Sequence, residues 1–330
     1  MGVDFYCGLS AKGNDPVPWK KTPHNTSLSI TSVLTGCFIL WLMLSGSFAN
    51  AGNLHSIQMF AEKLPGGFYG YRMFQHIIRQ PNGTETDITS RYETSKATVP
   101  GPVIVLKEGD VAEIELFHKF APDTPFHNHV SLHVHGVHYD IESDGTLKYI
   151  NAYKDESATA QPYLSYKYRW NAAPGTAGTW PYHDHNMETH NGAEDKGLFG
   201  TLIVKPANAP EQDGVAREYV FYIGDDAFWG IEINNATGKQ TAMGSNPTLT
   251  AKQNTNVRFH LIALGTNFHQ FRLPGYEWVD PGTRFKIREK VIGPLEKHVF
   301  TVKATHSSQY QDVAFSSWLL GMRGNFFVSR

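Results

Sequence analysis

Two pairs of histidines, His133-x-His135 and His183-x-His185, have the residue type and spacing to do chemistry. Alternate side chains of an extended strand share a face, so each pair is expected to project together. Two such strands side by side would gather four imidazoles around one small volume. Neutral imidazole suits copper, zinc, iron and nickel, and a set with no thiolate and no obligatory carboxylate leans towards copper or zinc. One H-x-H pair in an aromatic-rich β-protein is often only a satisfied surface or core feature. Two pairs, each flanked by glycine and aromatic residues, form a metal-site pattern.

The elements that must hold these residues are strands. Residues 100–117 read as two alternating runs joined by a Glu-Gly-Asp turn, and further period-2 segments follow at Ser131–Tyr139, Leu164–Trp170 and Gly200–Val204. The stretch Pro206–Gly214, rich in Pro, Ala, Asn and Asp, breaks the pattern as a linker would. A second set of strands runs from Arg217 to the end. At 330 residues the chain has room for two domains of ordinary size.

Composition narrows the class of partner. A formal net charge of -2 carries neither the basic footprint of a nucleic-acid binder nor a polyacidic tail. Short alternating runs with 30 glycines and 18 prolines spread among them favour an all-β protein. Both cysteines, Cys7 and Cys37, precede the globular part, so it has neither a disulfide nor a thiolate metal ligand.

The N-terminal 51 residues read as a signal peptide or a membrane anchor. Lys20 and Lys21 precede an apolar run, Val33–Leu44, and Ala49-Asn50-Ala51 follows as an A-x-A cleavage site. The run from Ile30 to Phe48 also approaches the length of a membrane span. Export to the periplasm or cell exterior is expected, with membrane attachment if this segment is retained. Leu34-Thr-Gly-Cys37 has the form of a lipoprotein box, but its most apolar part follows the cysteine.

The two sets of strands resemble copies of one unit. Leu249–Ile262 repeats the layout of Val105–Leu116, and Gly197-Leu-Phe-Gly-Thr-Leu-Ile-Val204 recurs as Gly321-Met-Arg-Gly-Asn-Phe-Phe-Val328. Between them, His133-Val-His135-Gly136 aligns with Arg272-Leu-Pro274-Gly275. Scaffold positions persist in both halves, whereas the histidine pairs occur only in the first.

Ser131-Leu-His-Val-His-Gly136, followed by Tyr139 and Asp144-Gly145, and Trp180-Pro-Tyr-His-Asp-His185, followed by Glu188-Thr-His190 and Gly197-Leu-Phe-Gly200, resemble the two first-domain copper motifs of small laccases, the two-domain multicopper oxidases. The likeness runs from about Pro100 to the C-terminus. It implies two cupredoxin-like Greek-key β-sandwich domains, 52–206 and 217–330, joined by a linker at 207–216, with copper as the cofactor. Carried over residue by residue, His133 would bind the type 2 copper, and His135, His183 and His185 the type 3 pair. Tyr139 and Asp144 stand where the family places a tyrosine and an acid beside the cluster, so Asp144 could assist proton delivery. Asp144-Gly145 also reads as a hairpin turn.

The second half departs from the family pattern. Of its three expected ligand positions only His269 remains, while Arg272 and Pro274 replace the other two. Near the end Gln311-Asp312-Val313 and Ser317 stand where the Cys and His ligands belong. Met322 keeps the axial position, where a lone methionine also reads as core. Without a thiolate no blue type 1 site forms. His127, His129, His138 and His190 flank the motifs and could complete a remodelled site, whereas His260, His269, His298 and His306 read as structural.

These residues imply an exported copper protein with a partial type 2/type 3 site and no type 1 copper, carrying out reduced or altered oxidoreductase chemistry. A non-catalytic subunit for copper storage, delivery or support of a catalytic partner is the alternative, and a zinc or empty structural site is a third reading. The family's trimers, in which the first domain of one copy faces the second domain of the next, imply a homotrimer or a mixed trimer with an intact homologue. In such a ring Arg272 would be a fixed charge beside the cluster, able to pair with Asp144, with Glu188 or with a bound anion, the alternative being that it points to solvent on an exposed strand end.

Overall fold

Alternation of buried and open positions builds the strands. In Val111–His118, Ala112, Ile114, Leu116 and His118 are buried while the residues between them are only half-buried, as expected for a sheet with one face on a core. Phe199–Lys205 differs, with six consecutive buried residues. A strand covered on both faces reads as a continuous apolar run, and Gly200 and Thr201 are the small residues that let neighbours close over it.

The computed structural model describes residues 52–119, 129–146, 149–151, 160–161, 165–185, 196–210 and 213–330. The expected leader (1–51) lies outside them, as do residues 211–212 of the expected linker. Among the described residues no helix is long and apolar enough to cross a membrane.

The first half contains β1 (Leu54–Lys63), β2 (Tyr69–Arg79), β3 (Glu85–Asp87), β4 (Val103–Lys107), β5 (Val111–His118) and β6 (His129–Val130). It continues with β7 (His133–Val134), β8 (Tyr149–Asn151), β9 (Ala160–Gln161), β10 (Ser165–Asn171), β11 (Gly178–His183) and β12 (Phe199–Lys205). The second half contains β13 (Val215–Ile223), β14 (Phe228–Asn234), β15 (Gln240–Ser245), β16 (Leu249–Lys252), β17 (Asn256–Ala263) and β18 (His269–Arg272). It ends with β19 (Trp278–Val279), β20 (Lys286–Ile287), β21 (Glu289–Ile292), β22 (Lys297–Lys303), β23 (Ser308–Asp312) and β24 (Arg323–Ser329).

The internal repeat is a repeat of topology. One sheet of the first half runs β10-β5-β1-β2-β3, and one of the second runs β22-β17-β13-β14-β15 in the same order. The facing sheets run β4-β12-β11-β7 and β16-β24-β23-β18-β21, the second gaining one strand, and β6-β8-β9 and β19-β20 form two small further sheets. Even the parallel pairs correspond: β1 with β5 and β4 with β12 are matched by β13 with β17 and β16 with β24. The chain is all-β, and each half is a β-sandwich around its own core.

A third apolar cluster joins the halves, with Val103, Phe199 and Ile203 meeting Val220, Tyr222, Ile231 and Ile262. Asn50–Arg330 accordingly forms one compact unit. Polar contacts cross the same seam. The Gln240 side chain accepts from Val103 N at 2.8 Å and donates to Val103 O at 2.6 Å, as a strand residue would. The Thr179 hydroxyl meets His260 Nδ1 at 2.7 Å, and His260 Nε2 donates to Glu218 at 2.6 Å. Burial alone would raise the Glu218 carboxyl, but His260, Arg258 and Asn235 hold it down at about 2. Lys297 places its amine over the Trp180 ring.

One local expectation fails. The alternation over Ser131–Tyr139 predicts a strand, yet only His133–Val134 is extended in a ladder. Gly136 turns the chain at φ +73°. A Cβ there would lie 1.9 Å from Trp180 Cδ2, so only glycine lets the indole close on the turn.

Candidate metal centre

β7 and β11 are antiparallel neighbours, and their register sets His133 directly opposite His183. His135 follows just beyond β7, its N–H donating to Pro181 O at 3.1 Å, and His185 follows just beyond β11. Strand alternation therefore does not by itself align either pair, since the second member of each lies outside its strand. A buried carboxylate makes the junction instead. Asp184 Oδ1 accepts from Ser131 N at 2.8 Å and Ser131 Oγ at 3.2 Å, while Ser131 Oγ accepts from His185 N at 2.9 Å. This tie binds the two motifs across 53 residues, and the x of H-x-H gave no hint of it.

The four rings converge. The His133 centroid lies 4.9 Å from that of His135, 5.5 Å from His183 and 5.0 Å from His185. His135 and His183 approach most closely, Nε2 to Nε2 at 3.0 Å. One ligand nitrogen each from His133, His135 and His183 can be chosen so that all lie within 4.8 Å of one another.

Backbone carbonyls orient two of the rings. His133 Nδ1 donates to Asp144 O at 2.6 Å and His183 Nδ1 donates to Asp184 O at 2.9 Å. A neutral imidazole that donates through Nδ1 keeps the Nε2 lone pair for a metal. Burial first, then the neighbouring His183 and His185, holds His133 below the usual histidine range, so its neutral form prevails. The donor set thus fits a metal that takes imidazole, and it contains no thiolate.

Asp144 and Tyr139 stand beside the cluster. The Tyr139 ring lies 6.0 Å from that of His133, and Asp144 Oδ1 is 3.4 Å from His133 Nδ1. Burial would raise Asp144, but bonds from Thr146 and Tyr139 and the nearby His133 and His185 leave it below the usual carboxylate range. Burial and that carboxylate push the Tyr139 phenol up to about 12. At neutral pH the pair is an ionised acid accepting from a protonated phenol. Asp144-Gly145 is not a hairpin between paired strands; it follows the 3-10 turn Ile141–Ser143. Gly145, at φ +79°, packs where a Cβ would meet Leu132 O at 2.4 Å, which presses the turn onto the strand carrying His133.

Other flanking histidines do not join the cluster in the described residues. His138 is exposed, its backbone bridging to Asn171. His127, His190, Glu188 and the side chain of His129 lie outside what is described.

In the second half, the register places Arg272 opposite Gln311, as His133 lies opposite His183. Arg272 pairs with Glu289 of its own chain, on the adjacent strand. Glu289 is held in register beside Arg272 within the same chain. His269 is buried with Nδ1 2.7 Å from Asp312, and Met322 is fully buried in the second core.

This is the class of the cupredoxin-fold proteins. The fold is similar to that of a copper nitrite reductase from Nitrosomonas europaea, with a TM-score of 0.56 at 16% identity over 84% of this chain and 94% of that one. Residues 80–209 match the multicopper oxidase family. The chain carries a multicopper oxidase domain, its two-sandwich architecture is consistent with the small-laccase type, and copper is the cofactor that the family implies. A probable nitrite reductase-hydroxylamine oxidoreductase fusion protein of Kuenenia stuttgartiensis is 30% identical over 249 residues, which make up 70% of this chain and 28% of that protein. Laccase-7 of Oryza sativa subsp. japonica is 26% identical over 52% of this chain and 32% of its own length. The chain thus spans about a third or less of these relatives.

Proposed function

We propose that the chain is an exported copper protein whose first half holds one or two coppers on His133, His135, His183 and His185, and which has no type 1 copper. The observation that carries this reading is the inward turn of the imidazoles, with the Nδ1 atoms of His133 and His183 spent on backbone carbonyls. Bound copper would supply one-electron redox chemistry and a Lewis acid at that point. The protein's own contribution is to hold the four rings on two adjacent strand ends. Asp144, ionised and joined to the Tyr139 phenol, is placed to accept a proton from a ligand at the cluster and to pass it outward.

Full laccase turnover is not part of this reading. Two of the residues that align with missing ligands are Arg272, already paired with Glu289, and Pro274, which offers no ligand atom. The chemistry is then a reduced copper oxidoreduction on a small molecule. The name of the Kuenenia relative and the fold of the nitrite reductase favour a nitrogen-containing one. The Arg272–Glu289 pair also favours a second reading, in which the chain supports a catalytic homologue or stores or delivers copper. In either case the cluster is expected to be covered by the second half of a neighbour, in a homotrimer or a mixed trimer.

The mature chain loaded with copper is expected to give a type 2 electron paramagnetic resonance signal, no intense blue band and no turnover of phenols. Metal analysis that finds no copper, or strong laccase turnover by the pure chain, would overturn the proposal. Native mass measurement is expected to show a trimer. A monomer at micromolar concentration, unchanged by copper, would leave only the mixed assembly.

A further inference from the structure

Away from the metal centre, four buried polar side chains of the first half form one unbroken line. The Tyr92 hydroxyl lies 2.8 Å from His76 Nδ1, His76 Nε2 lies 2.9 Å from His55 Nδ1, and His55 Nε2 lies 3.2 Å from Asp110 Oδ2. All four residues are at most 8% exposed. Asp110 also accepts from Asn53 N at 2.7 Å and Lys107 N at 2.8 Å.

The direction of these bonds follows from the chemistry. An ionised carboxylate only accepts, so His55 Nε2 carries a proton, and with a neutral His55 ring its Nδ1 accepts. His76 Nε2 must then donate, its Nδ1 accepts, and Tyr92 donates. In that arrangement every bond points towards Asp110. Burial, chiefly, pushes His76 down to about 3 and holds Tyr92 above the usual phenol range, in keeping with a neutral ring and an intact O–H.

Other buried phenols are placed differently. Tyr71 donates to Ser131 O, Tyr182 to Pro102 O and Tyr310 to Pro247 O, and a carbonyl oxygen cannot keep a proton. Tyr92 meets a nitrogen base with a path behind it. Tyr92 and Pro102 line one small void, and Pro102 O accepts from the phenol of Tyr182.

We propose that Tyr92 is a redox-active tyrosine that gives one electron to a one-electron oxidant while its proton enters the His76–His55–Asp110 line. The O–H bond of Tyr92 breaks and its proton goes to His76 Nδ1. The Nε2 proton of His76 moves to His55 Nδ1, and the Nε2 proton of His55 moves to the Asp110 carboxylate. The products are a neutral tyrosyl radical, two neutral imidazoles and a neutral carboxylic acid, so no net charge is created in the core beyond the electron's departure. Oxidised copper at the histidine cluster is the natural oxidant; that destination rests on the copper reading above, whereas the proton path does not.

The test uses the metal-free full chain, oxidised by photo-excited ruthenium tris-bipyridine with persulfate and frozen for electron paramagnetic resonance. A neutral tyrosyl signal is expected, with loss of its buried, slowly decaying component in Tyr92→Phe and its retention in Tyr71→Phe. His76→Gln, which keeps a hydrogen-bond acceptor but removes the base, is expected to lose that component and the solvent deuterium isotope effect on its formation. An unchanged signal in either Tyr92→Phe or His76→Gln, with circular dichroism intact, would overturn the assignment. Copper binding without a Tyr92 radical would sink this inference alone, and a Tyr92 radical in a chain that binds no copper would sink only the copper reading.

Discussion

A chain carrying His183→Ala is expected to bind copper more than about 100-fold more weakly than the parent, beyond what losing a residue behind a ligand costs. His183 faces His133 across two strands and brings its Nε2 within 3.0 Å of that of His135, so its removal opens the centre of the cluster. The metal-free fold should change little, because the ring's described polar bonds are one to a backbone carbonyl and one to another imidazole. His138→Ala is the control. It shares the motif's neighbourhood but is exposed and should leave affinity unchanged. Competition against a chelator of known strength measures both variants. Equal affinity in His183→Ala and the parent would remove the histidine cluster from consideration as the copper site.

Stability is expected to fall steeply as the pH drops below about 6.5, before most carboxylates titrate. His76 titrates at about 3 and His298 at about 4 in the folded chain, against 6.5 in an unfolded one, in each case mainly through burial. A histidine held down by the fold has no effect on stability above the unfolded value. Below it the unfolded chain takes up a proton that the folded chain refuses, so stability is lost until the pH reaches the folded value. Each pH unit travelled between the two values removes about 1.4 kcal/mol, so His76 alone removes about 3 kcal/mol by pH 4. That is a large part of the ~5–15 kcal/mol that holds a domain together. His298 acts in the same direction. Glu218, at about 2 against an ordinary 4.5, joins below pH 4.5, because its ionised form is favoured only in the fold. Thermal unfolding followed from pH 7 to about pH 4 tests the point; a midpoint that stayed flat over this range would mean that these rings are open to water.

The sequence shows the four histidines, the repeat and the all-β class, because each leaves a local mark: a motif, a duplicated layout or a period of two. It hides what depends on distant pairing. Ser131 and Asp184, which lock the two motifs together, are unremarkable in their own segments. Asp144 draws attention as an acid, yet its backbone oxygen is what orients His133. His55 and His76 share no spacing rule, and only the register of β1 against β2 brings their rings together. Arg272 looks like a charge in search of a partner until β21 is seen beside it carrying Glu289.

The Gln240 amide that grips Val103 has a further meaning. β4 and β15 are each the last strand of a sheet, and an open last strand invites any passing chain to pair with it. Here one side chain occupies the hydrogen-bonding groups of Val103 that a stray strand would seek. A first half cut free before Val215 is therefore expected to expose the edge of β4 at Val103.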